Sequence, residues 1–99
     1  MRSSPIIRTN SLTIMKLQSL AANRTILSFD DGTEIFFSYE TPVAGYLIGM
    51  GYVKTDKWYS STTTRHINKY FNDVPATDVS TVDQSVISTL IKKYIPNRY

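Results

Sequence analysis

Residues 25–39 alternate between apolar and polar side chains and are interrupted once by a turn sequence. On one face of an extended chain lie five apolar or aromatic side chains: Leu27, Phe29, Ile35, Phe37 and Tyr39. The interruption is Asp30-Asp31-Gly32, in which glycine supplies the positive φ that a tight hairpin turn requires. The pattern therefore predicts a β-hairpin, and the chain must build a sheet around it.

Further strands are predicted on both sides of this hairpin. Residues 12–20 fit both alternation and helical spacing, and we assign them to a strand. After the hairpin, Thr41-Pro42 is expected to break the strand, because proline lacks the donor that a ladder needs. Strands at 43–48 and 52–55 follow, joined by Gly49-Met50-Gly51. The sheet is predicted to be an antiparallel meander of four to five strands.

The hydrophobic period changes to that of a helix near residue 61. Ile67 and Phe71 lie four residues apart, as on a short amphipathic helix that begins near Ser61–Thr63. The run Asn72-Asp73-Val74-Pro75 is expected to end this helix.

A second helix is predicted close to the C-terminus. Thr81 and Gln84 have capping-box spacing, and Lys92-Lys93 and Pro96 mark the end. Its apolar stripe consists of Val82, Val86, Ile87, Leu90, Ile91 and Tyr94. Strands followed by helices predict an α+β fold, with both helices packed on one face of the sheet.

The length of 99 residues fits one domain. We predict a single α+β domain over residues 12–99 and a flexible N-terminal arm over residues 1–11, which show no periodicity. No stretch approaches the ~20 apolar residues of a membrane span, and we expect no membrane partner. Residues 1–29 lack acids as transit peptides do, but Lys16 and Gln18 interrupt the apolar run, so a cleaved targeting segment is not favoured.

The chain contains no cysteine and a single histidine. Disulfides, thiolate zinc sites, iron–sulfur ligation and a cysteine nucleophile are thereby excluded. We predict no metal and no cofactor. No pair of groups is spaced for acid–base or nucleophilic work, so we predict no catalytic residue and a protein that is not an enzyme. A fold without disulfides fits a reducing compartment, and we expect a cytoplasmic location.

Charge is distributed unevenly along the chain. Residues 1–24 and 57–72 carry basic side chains and no acid, whereas the charged side chains of residues 25–56 are mostly acidic. Two basic zones that flank an acidic one are compatible with a polyanion-binding face. The alternative is that these charges are simply solvated on loops.

Residues 57–69 collect the side chains best suited to an anion. A hydroxyl-rich helix start flanked by lysine and arginine favours phosphate, and Arg65 in the first turn opposes the helix dipole at a cost of about 0.3–1 kcal/mol unless an anion lies there. The alternative is that one of Ser61 to Thr63 is only the N-cap and that Arg65 pairs with an acid such as Asp56. The candidate residues for binding nucleic acid or another anion are Lys57, Trp58, Tyr59, Ser61, Thr62, Thr63, Arg65, His66 and Lys69.

Aromatic residues are frequent, with seven tyrosines and one tryptophan. Trp58 or Tyr59 could stack on a base, because aromatic side chains beside cations are typical of such surfaces. Aromatic side chains are also enriched at protein–protein interfaces, and many lie at the edge of a core.

Two segments carry a family resemblance. They read Ser38-Tyr39-Glu40-Thr41-Pro42-Val43-Ala44 and Lys57-Trp58-Tyr59-Ser60-Ser61-Thr62-Thr63-Thr64-Arg65-His66-Ile67-Asn68. In these segments the chain resembles small uncharacterised bacteriophage and prophage proteins, which pair a strand S-Y-x-T-P-V-A with a later helix start K-W-S-x-T-T-S-R-H-I-N. Tyr59 is an extra residue relative to that pattern, and the resemblance covers residues 25–72. It implies a viral, intracellular protein and supplies no activity.

These observations lead to two functional hypotheses. The first is a small non-enzymatic, phage-encoded module that contacts nucleic-acid phosphates through the helix start at Lys57–Lys69. The alternative is a viral factor that binds and modulates a host enzyme or defence protein. A homo-oligomer would be compatible with either hypothesis, and either would act in the cytoplasm of the host cell.

Overall fold

The computed structural model describes residues 15–21 and 23–94. Its centre is one six-stranded sheet whose strand order follows the chain. The strands are β1 (Met15–Ala21), β2 (Arg24–Phe29), β3 (Glu34–Ser38), β4 (Thr41–Leu47), β5 (Gly51–Thr55) and β6 (Val79–Val82). The helices are α1 (Ser61–Tyr70) and α2 (Gln84–Tyr94), with a 3-10 turn at Ala76–Asp78. The predicted α+β fold, a sheet followed by two helices, is confirmed. The predicted boundary between an arm at 1–11 and a domain at 12–99 falls outside the described residues and stays a prediction.

The hairpin that the alternation predicts is formed by β2 and β3. Leu27 pairs with Ile35 in antiparallel register, and both side chains are buried. In the turn, the backbone N–H of Phe29 donates to the carbonyl of Thr33 at 2.9 Å, and Gly32 adopts a φ of 97°. The turn therefore has the positive φ at Gly32 that the sequence predicted.

The neighbouring strands confirm the meander with one correction. β1 pairs with β2, and β4 pairs with both β3 and β5, all antiparallel. The break that the sequence placed at Thr41-Pro42 lies at residues 39–40, because β4 already begins at Thr41 and Pro42 pairs with Phe37. The register shifts between Phe36 and Phe37, and a proline is tolerated beside such a bulge, where its missing donor is not needed.

The sequence patterns did not reveal β6, which runs parallel to β5. Its four residues include Thr81, which the capping-box spacing had placed at a helix start. That assignment is wrong: α2 begins at Gln84, and the carboxylate of Asp83 accepts from the N–H of Ser85 at 2.8 Å. A strand of four residues is too short to show a period, and its pairing with β5 is not local in sequence.

The two helices lie on opposite faces of the sheet, which corrects the prediction of one shared face. Tyr70 of α1 packs with Phe36, whereas Ile91 of α2 packs with Ile35 and Phe37. Successive strand residues point to opposite faces, so a helix must cover each side of β3. None of the described helices is long and apolar enough to cross a membrane.

Candidate functional site

The N-terminus of α1 uses most of its own hydroxyl groups. Ser60 is the N-cap, and its side chain accepts from the backbone N–H of Thr63 at 3.1 Å. The hydroxyl of Thr64 donates to the carbonyl of Ser60 at 3.1 Å. The cap therefore precedes the residues 61–63 in which the sequence placed it, and Ser61 remains exposed at the helix start.

Thr63 faces the sheet, although the sequence proposed it as an anion ligand. It is buried, and its hydroxyl lies 3.0 Å from the hydroxyl of Ser38 on β3. The Ser38 hydroxyl also lies 2.7 Å from Nδ1 of His66. A chain of polar contacts thus joins two positions of α1 to the end of β3, and the Thr63 hydroxyl serves the contact between helix and sheet.

Arg65 points along the exposed side of its own helix. Its guanidinium donates to the hydroxyl of Thr62 at 3.2 Å. The ion pair with Asp56 that the sequence offered as an alternative is not formed. Within residues 17–20 and 23–93, whose side chains the structure describes, no carboxylate pairs with Lys57, Arg65 or Lys69.

A group of cations surrounds His66. Arg24, at the start of β2, pairs in register with Ser38. The hydroxyl of Ser38 contacts the imidazole of His66. Partial burial, and then the positive charges of Arg24, Arg65 and Lys69, lower the pKa of His66 below its ordinary value. We call Arg24, Arg65, His66 and Lys69 the basic cluster. Positive charge from two elements converges there without a described acid to balance it.

Two residues with positive φ lie beside the basic cluster. Tyr39 adopts a φ of 57°, a region that costs a bulky residue about 1–3 kcal/mol, whereas the φ of 69° at Asn23 is one that asparagine tolerates in a turn. The N–H of Tyr39 donates to the carbonyl of Asn23 at 2.7 Å, so the two turns support each other. The Tyr39 ring centroid lies 5.7 Å from that of His66. Strain such as that at Tyr39 is concentrated at functional sites, which supports a functional role for this end of the sheet.

Lys57 and Trp58 lie on the other side of α1. With the end of β5 and the helix they enclose an open cavity of about 190 Å³, which we call the cleft. Its lining includes Lys54, Asp56, Lys57, Trp58, Thr64 and Asn68. The ammonium of Lys57 lies 5.1 Å from the ring centroid of Tyr59, within range of a cation–π contact.

The sequence-predicted site is thus divided by the helix that carries it. Thr64 and Asn68, four residues apart, face the cleft, whereas His66 and Lys69, three residues apart, belong to the basic cluster. The two groups lie on either side of α1. A ligand that uses both must therefore lie across the helix.

The helix itself is anchored at its C-terminal end. The ring of Tyr70 stacks on Phe36 with centroids 4.6 Å apart, and its hydroxyl donates to Oε1 of Glu34 at 2.6 Å. Burial and the hydrogen bond to Glu34 raise the pKa of Tyr70. This contact holds α1 against β3 and so fixes the position of His66 and Lys69.

Several residues of these surfaces were missed by sequence reasoning. They are Arg24, Ser38 and Tyr39 at the basic cluster, and Lys54 and Asn68 at the cleft. The hairpin alternation could have paired Arg24 with Ser38, because register follows from the turn. No local sequence pattern indicates that Lys54 and Asn68 line the same cleft. No group of three described metal-ligating side chains is placed to hold an ion.

Comparison with known families gives one match. The model of DUF8033, a family of unknown function, matches residues 15–88. The chain belongs to this family. The DUF8033 match spans β1 to the first turns of α2, and therefore includes the basic cluster and the cleft. A search of curated proteins and a search of solved structures each found no match.

Proposed function

We propose that this protein is a non-enzymatic binding module that contacts the phosphates of nucleic acid through α1 and the strand ends beside it. One observation carries the proposal. Cationic side chains flank both sides of α1, and within the described residues no carboxylate pairs with any of them. Unpaired cations on one face raise the local concentration of a polyanion.

The two sides of the helix would share the binding. In the basic cluster, Arg24, Arg65 and Lys69 supply charge from β2 and α1. In the cleft, Lys57 supplies charge and Trp58 supplies an exposed aromatic face. A strand that crosses the helix would then contact the two sides through different phosphates.

The pair formed by Ser38 and His66 supports binding rather than catalysis. A serine nucleophile must reach its substrate, and Ser38 is only 1% exposed beneath α1. An orienting acid would have to hold the imidazole, and no described carboxylate contacts His66. The pair is therefore interpreted as a structural contact, and the protein as one without enzymatic activity.

The origin and location of the protein are proposed from the resemblance alone. Similarity to bacteriophage and prophage proteins over residues 25–72 supports a phage-encoded protein that acts in the cytoplasm of its host cell. These two statements remain predictions.

The direct test is a titration of labelled oligonucleotide with the protein at increasing salt concentration. We expect binding at low salt and a steady loss of affinity as salt rises, because binding releases counterions. Absence of binding at low salt would overturn the proposal.

A second candidate, a role in binding a host protein, rests on a different surface. Leu17 is 64% exposed on β1, an edge strand whose outer side has no partner strand within the described residues. An exposed apolar edge can accept a strand of another protein. If this surface functions, Leu17→Lys should abolish a stoichiometric, nuclease-resistant complex with a host protein and leave nucleic-acid binding unchanged.

A further inference from the structure

The cleft brings an exposed aromatic ring together with charged and hydrogen-bonding side chains. It joins one exposed aromatic ring, two lysines and several hydrogen-bonding side chains in a cavity of about 190 Å³. Trp58 is 71% exposed, the highest fraction among the large apolar side chains that the structure describes. A tryptophan left in water beside unpaired polar groups forms a surface on which a flat ligand can stack.

We propose that this cleft receives one unstacked base of a single-stranded nucleic acid, with Trp58 as its stacking surface. The inference rests on the proposed phosphate contact and adds the class of nucleic acid that is bound.

The backbone beneath Trp58 is held in place. The N–H of Lys57 donates to the hydroxyl of Thr55 at 3.0 Å, and the N–H of Asp56 donates to the carbonyl of Val82 at 2.8 Å. Ser60 then caps α1 two residues after Trp58. The exposed ring is therefore carried on a fixed segment, and stacking a base on it costs little ordering of the backbone.

Polar groups of the cleft suit the edge of a base. Asn68 is exposed, and its side-chain amide forms no hydrogen bond within the described residues. This amide offers both donors and an acceptor. The carboxylate of Asp56 adds a second acceptor. Lys54 and Lys57 supply positive charge for the phosphates that flank the base.

The geometry favours a single strand over a duplex. In a duplex both faces of each base are covered by neighbouring bases, so Trp58 could stack only after a base had been unstacked. In a single strand the base faces are available, and stacking on aromatic side chains is the usual mode of recognition. The basic cluster alone would not discriminate between the two, because phosphates are common to both.

The test compares one fluorescein-labelled oligothymidylate of about 15 nucleotides with a duplex of the same length, using anisotropy and the full-length chain. We expect the single strand to bind more tightly. Trp58→Ala should weaken single-strand binding by roughly 5- to 150-fold, the equivalent of one lost base stack, and should leave duplex binding unchanged. Met50→Ala, which removes an exposed apolar side chain from the β4–β5 turn, is the matched control and should change neither affinity.

Trp58 also reports on the cleft directly, because it is the only tryptophan. Its fluorescence should be quenched by the unlabelled single strand and not by the duplex. Equal affinities for both probes, without quenching and without an effect of Trp58→Ala, would overturn the inference and leave the phosphate contact standing. Failure to bind either probe at low salt would overturn both.

Discussion

The hydroxyl of Ser38 lies 2.7 Å from Nδ1 of His66, and this contact joins the end of β3 to the middle of α1. The same hydroxyl lies 3.0 Å from that of Thr63. Because Ser38 is buried, the imidazole is held by the fold on one edge while the positive charges of the basic cluster surround it. The candidate binding surface is thus built on a contact within the core.

Removal of the Ser38 hydroxyl should destabilise the protein measurably. Ser38→Ala leaves the Thr63 hydroxyl and Nδ1 of His66 without their shared partner, at an expected cost of about 1–3 kcal/mol in the free energy of unfolding. Urea denaturation at neutral pH measures this cost. Ser80→Ala, the same change at an exposed position on β6, should stay within about 0.5 kcal/mol. Equal stabilities of the two variants would contradict a structural role for the contact.

Stability should depend on pH through His66. Its pKa in the folded chain lies below the ordinary 6.5, so between the two values the unfolded state binds more protons than the folded state. The free energy of unfolding should therefore be constant above this window and fall as the pH is lowered through it. Urea denaturation from pH 8 to about pH 5 measures this dependence. The titration of Asp83 lies below this pH range, because hydrogen bonds from Ser85 lower its pKa. His66→Asn should remove this dependence; an unchanged slope would show that another group causes it.

The titration of His66 should also report ligand binding. An oligonucleotide phosphate in the basic cluster favours the imidazolium, so the pKa of His66 should rise when nucleic acid is added. The chain has one histidine, so a single imidazole resonance in an NMR titration gives the answer. In the free protein, Arg24→Ala should raise the same pKa, because a like charge is removed. A pKa that is identical with and without bound oligonucleotide would place the phosphate elsewhere.

Tyr70, which anchors α1, should contribute to the free energy of unfolding about as much as the polar contacts of Ser38. Tyr70→Phe keeps the stack on Phe36 and removes the hydrogen bond to Glu34, with an expected cost of about 1.5 kcal/mol. Tyr46→Phe is the matched control, since its hydroxyl has no partner within the described residues. Thermal or urea denaturation compares the two; a cost for Tyr46→Phe as large as that for Tyr70→Phe would contradict the assigned hydrogen bond.

The sequence predicts local elements well and long-range placement poorly. The β2–β3 hairpin and the start of α1 depend on turn residues, capping and periodicity within a few residues, so they could be read directly. The strand β6 could not, because its four residues pair with β5 across the whole of α1. The opposite placement of the helices was indicated only by Ile26 and Phe36, two apolar residues on the otherwise polar side of the hairpin.

For the candidate site, too, the sequence indicated local features and not their long-range placement. The residue types at 57–69 indicated an anion-binding surface, but the sequence treated Lys57, Arg65 and Lys69 as one group. The segment before α1 places Lys57 at the cleft, whereas the helix places Arg65 and Lys69 in the basic cluster. Ser38 is 28 positions from His66 in the chain, and only the packing of α1 on β3 brings the two together. Arg24 reaches the site because it pairs with Ser38 on the neighbouring strand.

The most direct test of the proposed phosphate contact compares two lysines that carry the same charge on opposite faces of the sheet. Lys69 belongs to the basic cluster, whereas Lys92 is exposed on α2. Affinity for the labelled single strand is measured as a function of salt for the wild type, Lys69→Ala and Lys92→Ala. We predict that Lys69→Ala weakens binding and reduces the slope of log affinity against log salt by about 0.7, while Lys92→Ala leaves the slope unchanged. Equal effects of the two substitutions would contradict a phosphate-binding face formed by α1.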